Sequence, residues 1–166
     1  MPSLEIICPC GRNNKLYKDC CMLIHTNIHN ALTAEDLMRS RYSAFVLCNG
    51  DYLLQSHSNQ FCDASTMKNT MRWSRSVAWN HLEIISSNNG LENDSTGTVE
   101  FKAYFREKNK LKCIHENSSF IREDSHWVYL THCKILICLI INIMLNRISN
   151  EKDLVSYILI QENKYL

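Results

Sequence analysis

The chain has 166 residues, a formal charge of +1 and nine cysteines, with 45% hydrophobic and 21% charged residues. That is enough apolar content for one principal core, and it excludes global disorder. The near-zero charge also excludes a whole-chain polyanion footprint, though a local basic patch stays open, and no motif specific to nucleic-acid binding is present.

The chain starts "MPSLEIICPC", without the basic region or apolar run of a secretory signal. A reducing, cytoplasmic compartment is therefore expected, where clustered thiols bind metal or stay free more often than they pair. Four of the nine cysteines fall in "CPCGRNNKLYKDCC": Cys8, Cys10, Cys20 and Cys21. Zinc takes four ligands in a tetrahedron and favours thiolates in structural sites. Cys8 and Cys10 flank Pro9, so one turn can aim both sulfurs inward. Gly11, Asn13 and Asn14 tolerate the backbone angles that bring the chain back, and "YKDCC" can open a short helix carrying Cys20 and Cys21. Ordering such a loop costs about 1–2 kcal/mol per residue in backbone entropy. The loop has almost no apolar core of its own, whereas structural zinc contributes roughly 10–16 kcal/mol in small peptides. Arg12, Lys15 and Lys18 would offset part of the 2− charge of a zinc tetrathiolate. Free thiols and a redox pair remain the competing readings. His25 and His29 are alternative ligands that four thiols make unnecessary.

"TAEDLMRSRYSAFVLCNG" predicts a helix with Thr33 as N-cap, Glu35 and Asp36 in its first turn, and an apolar face at Met38, Tyr42 and Phe45. Asn49-Gly50 is expected to end it in a left-handed turn, and Asp51 to cap a second helix, "DYLLQSHS". A third helical stretch falls near Ala64–Met71. Strands follow at "VAWNHLEIIS", "TVEFKAYFRE", "LKCIHENSSFIRE" and "HWVYLT". In the second, Val99, Phe101, Ala103 and Phe105 point one way. The turn-like "SNNGLENDSTG", "EKNK" and "EDS" between them predict an antiparallel meander, and helices before a sheet give an α+β fold. Trp73, Trp79 and Trp127 are expected in the core, and Cys48, Cys62 and Cys113 as small core residues or free thiols. The tail contains "KILICLIINIMLNRI". As a helix, its apolar run would span roughly 16 Å, about half the hydrocarbon thickness, so no membrane span is expected. Cys133 and Cys138 lack two further ligands for a second metal site.

"CPCG…YKDCC" resembles the SEC-C motif, the zinc-binding knuckle at the tail of the SecA preprotein translocase. "LMRSRYSAF" followed by "DYLLQSH" resembles the bacterial YchJ family. So do the spacing of Trp79, Leu82 and Ile84, and then "VEFKAYFRE", "HENSSFIRED" and "HWVY". The resemblance covers roughly residues 6–131. It implies a SEC-C zinc knuckle at 1–30, a nuclear transport factor 2-like cone of helices on a curved antiparallel sheet at 31–131, and a divergent apolar tail at 132–166. Zn2+ would be held by Cys8, Cys10, Cys20 and Cys21. The chain departs from the family in three places. Gly11-Arg12-Asn13 replaces Gly-Ser-Gly, with one extra residue before Cys20. Ser56-His57-Ser58-Asn59 stands where Thr-Trp-His-Pro is usual. The apolar tail stands in place of a second SEC-C knuckle.

Cone folds often enclose a pocket, and Arg41, Tyr42, His115 and Glu116 are its candidate lining. His115 and Glu116 are adjacent on a strand and point to opposite faces, which opposes their joint action as base and orienter. A buried structural ion pair between Arg41 and Glu116 is the competing reading, and no catalytic set is assigned. The leading functional expectation is a zinc-binding accessory protein whose basic knuckle meets a protein or ribosome-associated partner. The alternatives are an enzyme or small-molecule binder using the cone, and a degenerate, C-terminally altered gene product.

Overall fold

A computed structural model describes residues 5–58 and 64–130. Among them, short helices α1 (Cys21–Thr26) and α3 (Gly50–Gln55) flank the longer α2 (Ala34–Val46), and α4 (Ala64–Ser76) leads into the strands. Thr33 caps α2 as expected. Its hydroxyl accepts from the Asp36 amide, and the Asp36 carboxylate accepts from the Thr33 amide, both at 3.0 Å. This reciprocal capping box satisfies two amides that the first helical turn leaves over. The end of α2 differs from expectation by a residue. Cys48 takes the left-handed angle at φ 56°, and Asn49, instead of Asp51, caps α3 by accepting from the Tyr52 amide. Gly50 lies inside α3, where a β-carbon would stand 3.0 Å from Met71 of α4. The absence of a side chain there lets the two helices approach.

The strands β1 (Ala78–Asn89), β2 (Thr96–Glu107), β3 (Lys110–Glu123) and β4 (His126–Tyr129) form one antiparallel sheet in sequence order. Two connections are two-residue hairpins whose central residues all have positive φ: Lys108 and Asn109, then Asp124 and Ser125. That backbone matches the twist of the flanking strands. β2 alternates as its sequence predicts, with Val99, Phe101, Ala103 and Phe105 all buried. In β1 the register shifts between Trp79 and His81. This bulge explains why the inward residues Trp79 and Leu82 stand three positions apart instead of two.

The core is closed by Leu37, Tyr42, Leu53, Val99, Phe120 and Trp127, all at most 2% exposed. Trp79 packs against this core, in keeping with the structural role expected of it. A second small cluster gathers Cys8, Cys10, Tyr17 and Cys21. Helix α2 is buried on nearly every side, polar Ser40, Arg41 and Ser43 included. A helix buried all round lies between two layers, here the cysteine cluster and the sheet. The chain thus adopts the expected α+β fold, helices against a curved antiparallel sheet. Cys113 is exposed on β3 and is no core residue. Among the described residues, no helix is long and apolar enough to cross a membrane. Cys62, Cys133, Cys138 and the apolar tail lie outside the described residues.

Candidate metal centre

A miniature hairpin positions the first two cysteines. Ile7 pairs with Leu16, the Cys8 amide donates to the Lys15 carbonyl at 2.8 Å, and the Tyr17 amide donates to Ile6 at 2.9 Å. Gly11, Asn13 and Asn14 reverse the chain with φ of 70°, 51° and 53°, the positions the sequence offers for that purpose. Tyr17–Asp19 then forms a single tight turn. Cys20 sits outside α1, with φ −138° and ψ −113°, and Cys21 is its first residue. This break solves the problem of adjacent ligands. Two neighbours on a helix would point about 100° apart, but the non-helical backbone at Cys20 brings its sulfur to 4.0 Å from that of Cys21.

The four sulfurs lie within 4.8 Å of one another. Cys10 and Cys20 are 3.6 Å apart and Cys20 and Cys21 4.0 Å. Tetrahedral zinc with Zn–S bonds of about 2.3 Å requires sulfur separations of roughly 3.8 Å, so the donor set fits the ion in type, number and spacing. Cys8, Cys10 and Cys21 are buried and Cys20 is half-buried. Their acidities diverge. Hydrogen bonds from Cys10 and Cys21 pull the Cys8 thiol far down. Cys20 is pushed up to about 12 by burial and by the charge of Cys10 and Cys8. Cys21 moves up because its hydrogen bonds to Cys10 and Cys8, together with burial, retain its proton. Thiols this close cannot all ionise unaided, and a divalent cation would take the place of their protons.

The cluster is tied to the rest of the molecule. Arg12 pairs with Asp36, and more weakly with Glu35 at 3.4 Å, in the first turn of α2. Tyr17 lies against the cysteines, and its hydroxyl donates to His25 Nδ1 at 2.7 Å. His25 Nε2 donates to the Ser40 carbonyl at 2.8 Å, which fixes the neutral tautomer. Burial lowers the His25 pKa. Both ring nitrogens are occupied, so His25 is a strut and supplies no ligand. His29 faces His126 instead, with ring centroids 5.3 Å apart.

The pocket candidates separate into three places. His115 is exposed on the outer sheet face and pairs with Glu100 at 2.8 Å. Tyr42 is buried edge-to-face against Trp79. Arg41 and Glu116 meet through Tyr129. The guanidinium lies 4.5 Å over that ring, whose hydroxyl donates to Glu116 at 2.7 Å. Arg41 also donates to the Leu53 carbonyl and to Ser56 Oγ. His57, 7% exposed, stands edge-on to the same ring at 5.1 Å. The sequence pairs Arg41 with Glu116 without revealing Tyr129 as the intermediary, because tyrosine ending a short strand reads as ordinary packing.

A four-cysteine N-terminal knuckle docked on helices over an antiparallel meander defines a SEC-C-type knuckle joined to a nuclear transport factor 2-like domain. The family model described as "YchJ, middle NTF2-like domain" matches residues 33–132. The chain belongs to the YchJ family. It is 37% identical over 128 residues to a UPF0225 protein of Shewanella sp. strain MR-7, covering 74% of this chain and 77% of the relative. It is 40% identical over 123 residues to a UPF0225 protein of Vibrio vulnificus strain YJ016, with 74% and 72% covered. The crystal structure of a SEC-C motif containing protein from Psychrobacter arcticus superposes with a TM-score of 0.64 at 31% identity, covering 77% of this chain and 82% of that one. The solution structure of a SEC-C motif containing protein from Rhodopseudomonas palustris gives 0.65 at 29%, covering 76% and 96%.

Proposed function

We propose that this protein is a cytosolic zinc-binding accessory protein, whose four-thiolate knuckle carries one structural Zn2+ and meets a protein or ribosome-associated partner. The observation behind this reading is the convergence of the Cys8, Cys10, Cys20 and Cys21 sulfurs within 4.8 Å. Cys8, Cys10, Cys20 and Cys21 would hold the ion, which supplies the cross-link that the apolar-poor loop lacks. Four thiolates fill a tetrahedral shell, which suits a structural role. The partner-facing charge is smaller than the count of basic residues suggests, since Arg12 and Lys18 pair with Asp36 and Glu5. Exposed Lys15 remains, on the same small hairpin as Ile7 at 57% exposure, a mixed surface suited to a protein partner.

The test is metal analysis of purified protein together with affinity capture. One equivalent of zinc is expected, lost in Cys20→Ser/Cys21→Ser, along with partners that wild type retains. A protein prepared without chelator that carries no zinc refutes the metal, and an unchanged partner set refutes the interaction role.

A further inference from the structure

We infer that helix α2 supplies the outer shell of the metal centre, with Ser43 and Arg39 as positioning residues for the Cys8 and Cys10 ligands. This rests on the metal reading above and extends it from the knuckle to the cone. The Ser43 hydroxyl lies 3.7 Å from Cys8 Sγ, and Ser43 is wholly buried. An ionised sulfur bound to a cation has no proton to give, so the hydroxyl must be the donor. Arg39 Nη1 donates to the Cys10 carbonyl at 3.1 Å, while its Nε is held by Glu35 at 2.7 Å.

These contacts fall on one stripe of the helix. Asp36 receives Arg12, Arg39 holds Cys10, the Ser40 carbonyl receives His25, Ser43 faces Cys8, and Leu47 packs on the cysteine cluster. The spacing of three, four, seven and eleven residues is that of a single helical face. The same turns send Leu37, Met38 and Tyr42 into the core. A centre built this way is not autonomous. The hydroxyl lowers the electron density on the Cys8 sulfur and fixes its direction. The guanidinium places a positive charge beside a centre of net charge 2− and locks the turn between Cys8 and Gly11. Partners of this kind commonly change metal affinity by roughly 10–100-fold.

The experiment uses the full chain, loaded with Co2+ for spectroscopy and with Zn2+ for release to a chromogenic chelator. Wild type and Ser43→Ala should each bind one equivalent. In Ser43→Ala the sulfur-to-cobalt charge-transfer band should shift and zinc release should quicken about tenfold. Arg39→Gln, at a more solvent-accessible position, should also quicken release. Ser74→Ala removes a buried hydroxyl that bonds Phe45 and Trp79 instead of the knuckle. It should lower stability and leave the band in place. Bands and release rates at wild-type values in both Ser43→Ala and Arg39→Gln overturn this inference alone. A wild type that takes up neither metal overturns the metal reading, and this inference with it.

Discussion

His57 shows how one residue can set an acid limit on stability. Its Nδ1 donates to the Ser58 carbonyl at 3.1 Å. Burial first, and the positive Arg41 second, depress its pKa to about 4, with Ser58 and Glu123 opposing. A histidine whose folded pKa lies below its unfolded value is neutral in the fold, while the unfolded chain takes up a proton near pH 6.5. Stability from this site is therefore complete above about pH 6.5, is lost as pH falls towards 4, and then levels off. Some solvent screening remains, so the loss should be on the order of 2 kcal/mol. Chemical denaturation of wild type and His57→Gln between pH 7 and 4 should show a shallower decline in the variant. Parallel profiles would mean that other groups set the acid limit.

The start of α2 is a junction of two structures. One oxygen of Asp36 accepts from the Thr33 amide, and the other pairs with Arg12 of the knuckle. Thr33→Ala removes only the hydroxyl half of the cap and should cost about 1 kcal/mol. Asp36→Ala removes the cap's other half and the tether as well, and should cost more. In an Arg12→Ala background the extra cost should disappear, giving a coupling of at least about 0.5 kcal/mol in a double-mutant cycle. Additive effects would show that the tether does not stabilise the fold.

The same helix shows what the sequence makes readable. The Thr33 cap, the apolar side at Met38 and Tyr42, and the β2 alternation are local patterns, and each is present. The clustering of the four cysteines was legible because thiols at that density have few other uses. The outer shell was not. Ser40 and Ser43 look like weak helix formers on a solvent face until a second layer covers them. Arg122 is a stronger case: it donates to the carbonyls of Leu32, 90 positions away, and Glu92, 30 away, and lies 4.6 Å over Trp127. Backbone carbonyls carry no sequence signal, so such contacts appear only once the chain is folded.

For the molecule as a whole, the described residues belong to one compact unit. The binding energy of a metal held by the four cysteines should then be felt in the cone as well as in the knuckle. An ion that binds the folded state alone stabilises it by about 2.7 kcal/mol when free metal is a hundred times its Kd. Two arrangements give different melting curves. If the knuckle were a separate appendage, chelation would add an early transition and leave the main one fixed. With Tyr17, His25 and Ser40 joining the cysteine cluster to α2, and Leu37 of α2 in the same core as Trp127, one transition should move as a unit. Tryptophan fluorescence reports the cone, because no tryptophan lies in the knuckle. Its melting midpoint should rise with buffered free zinc and fall by several degrees under chelator. A midpoint independent of zinc, in protein shown to bind it, would mean that the two layers touch without sharing their stability.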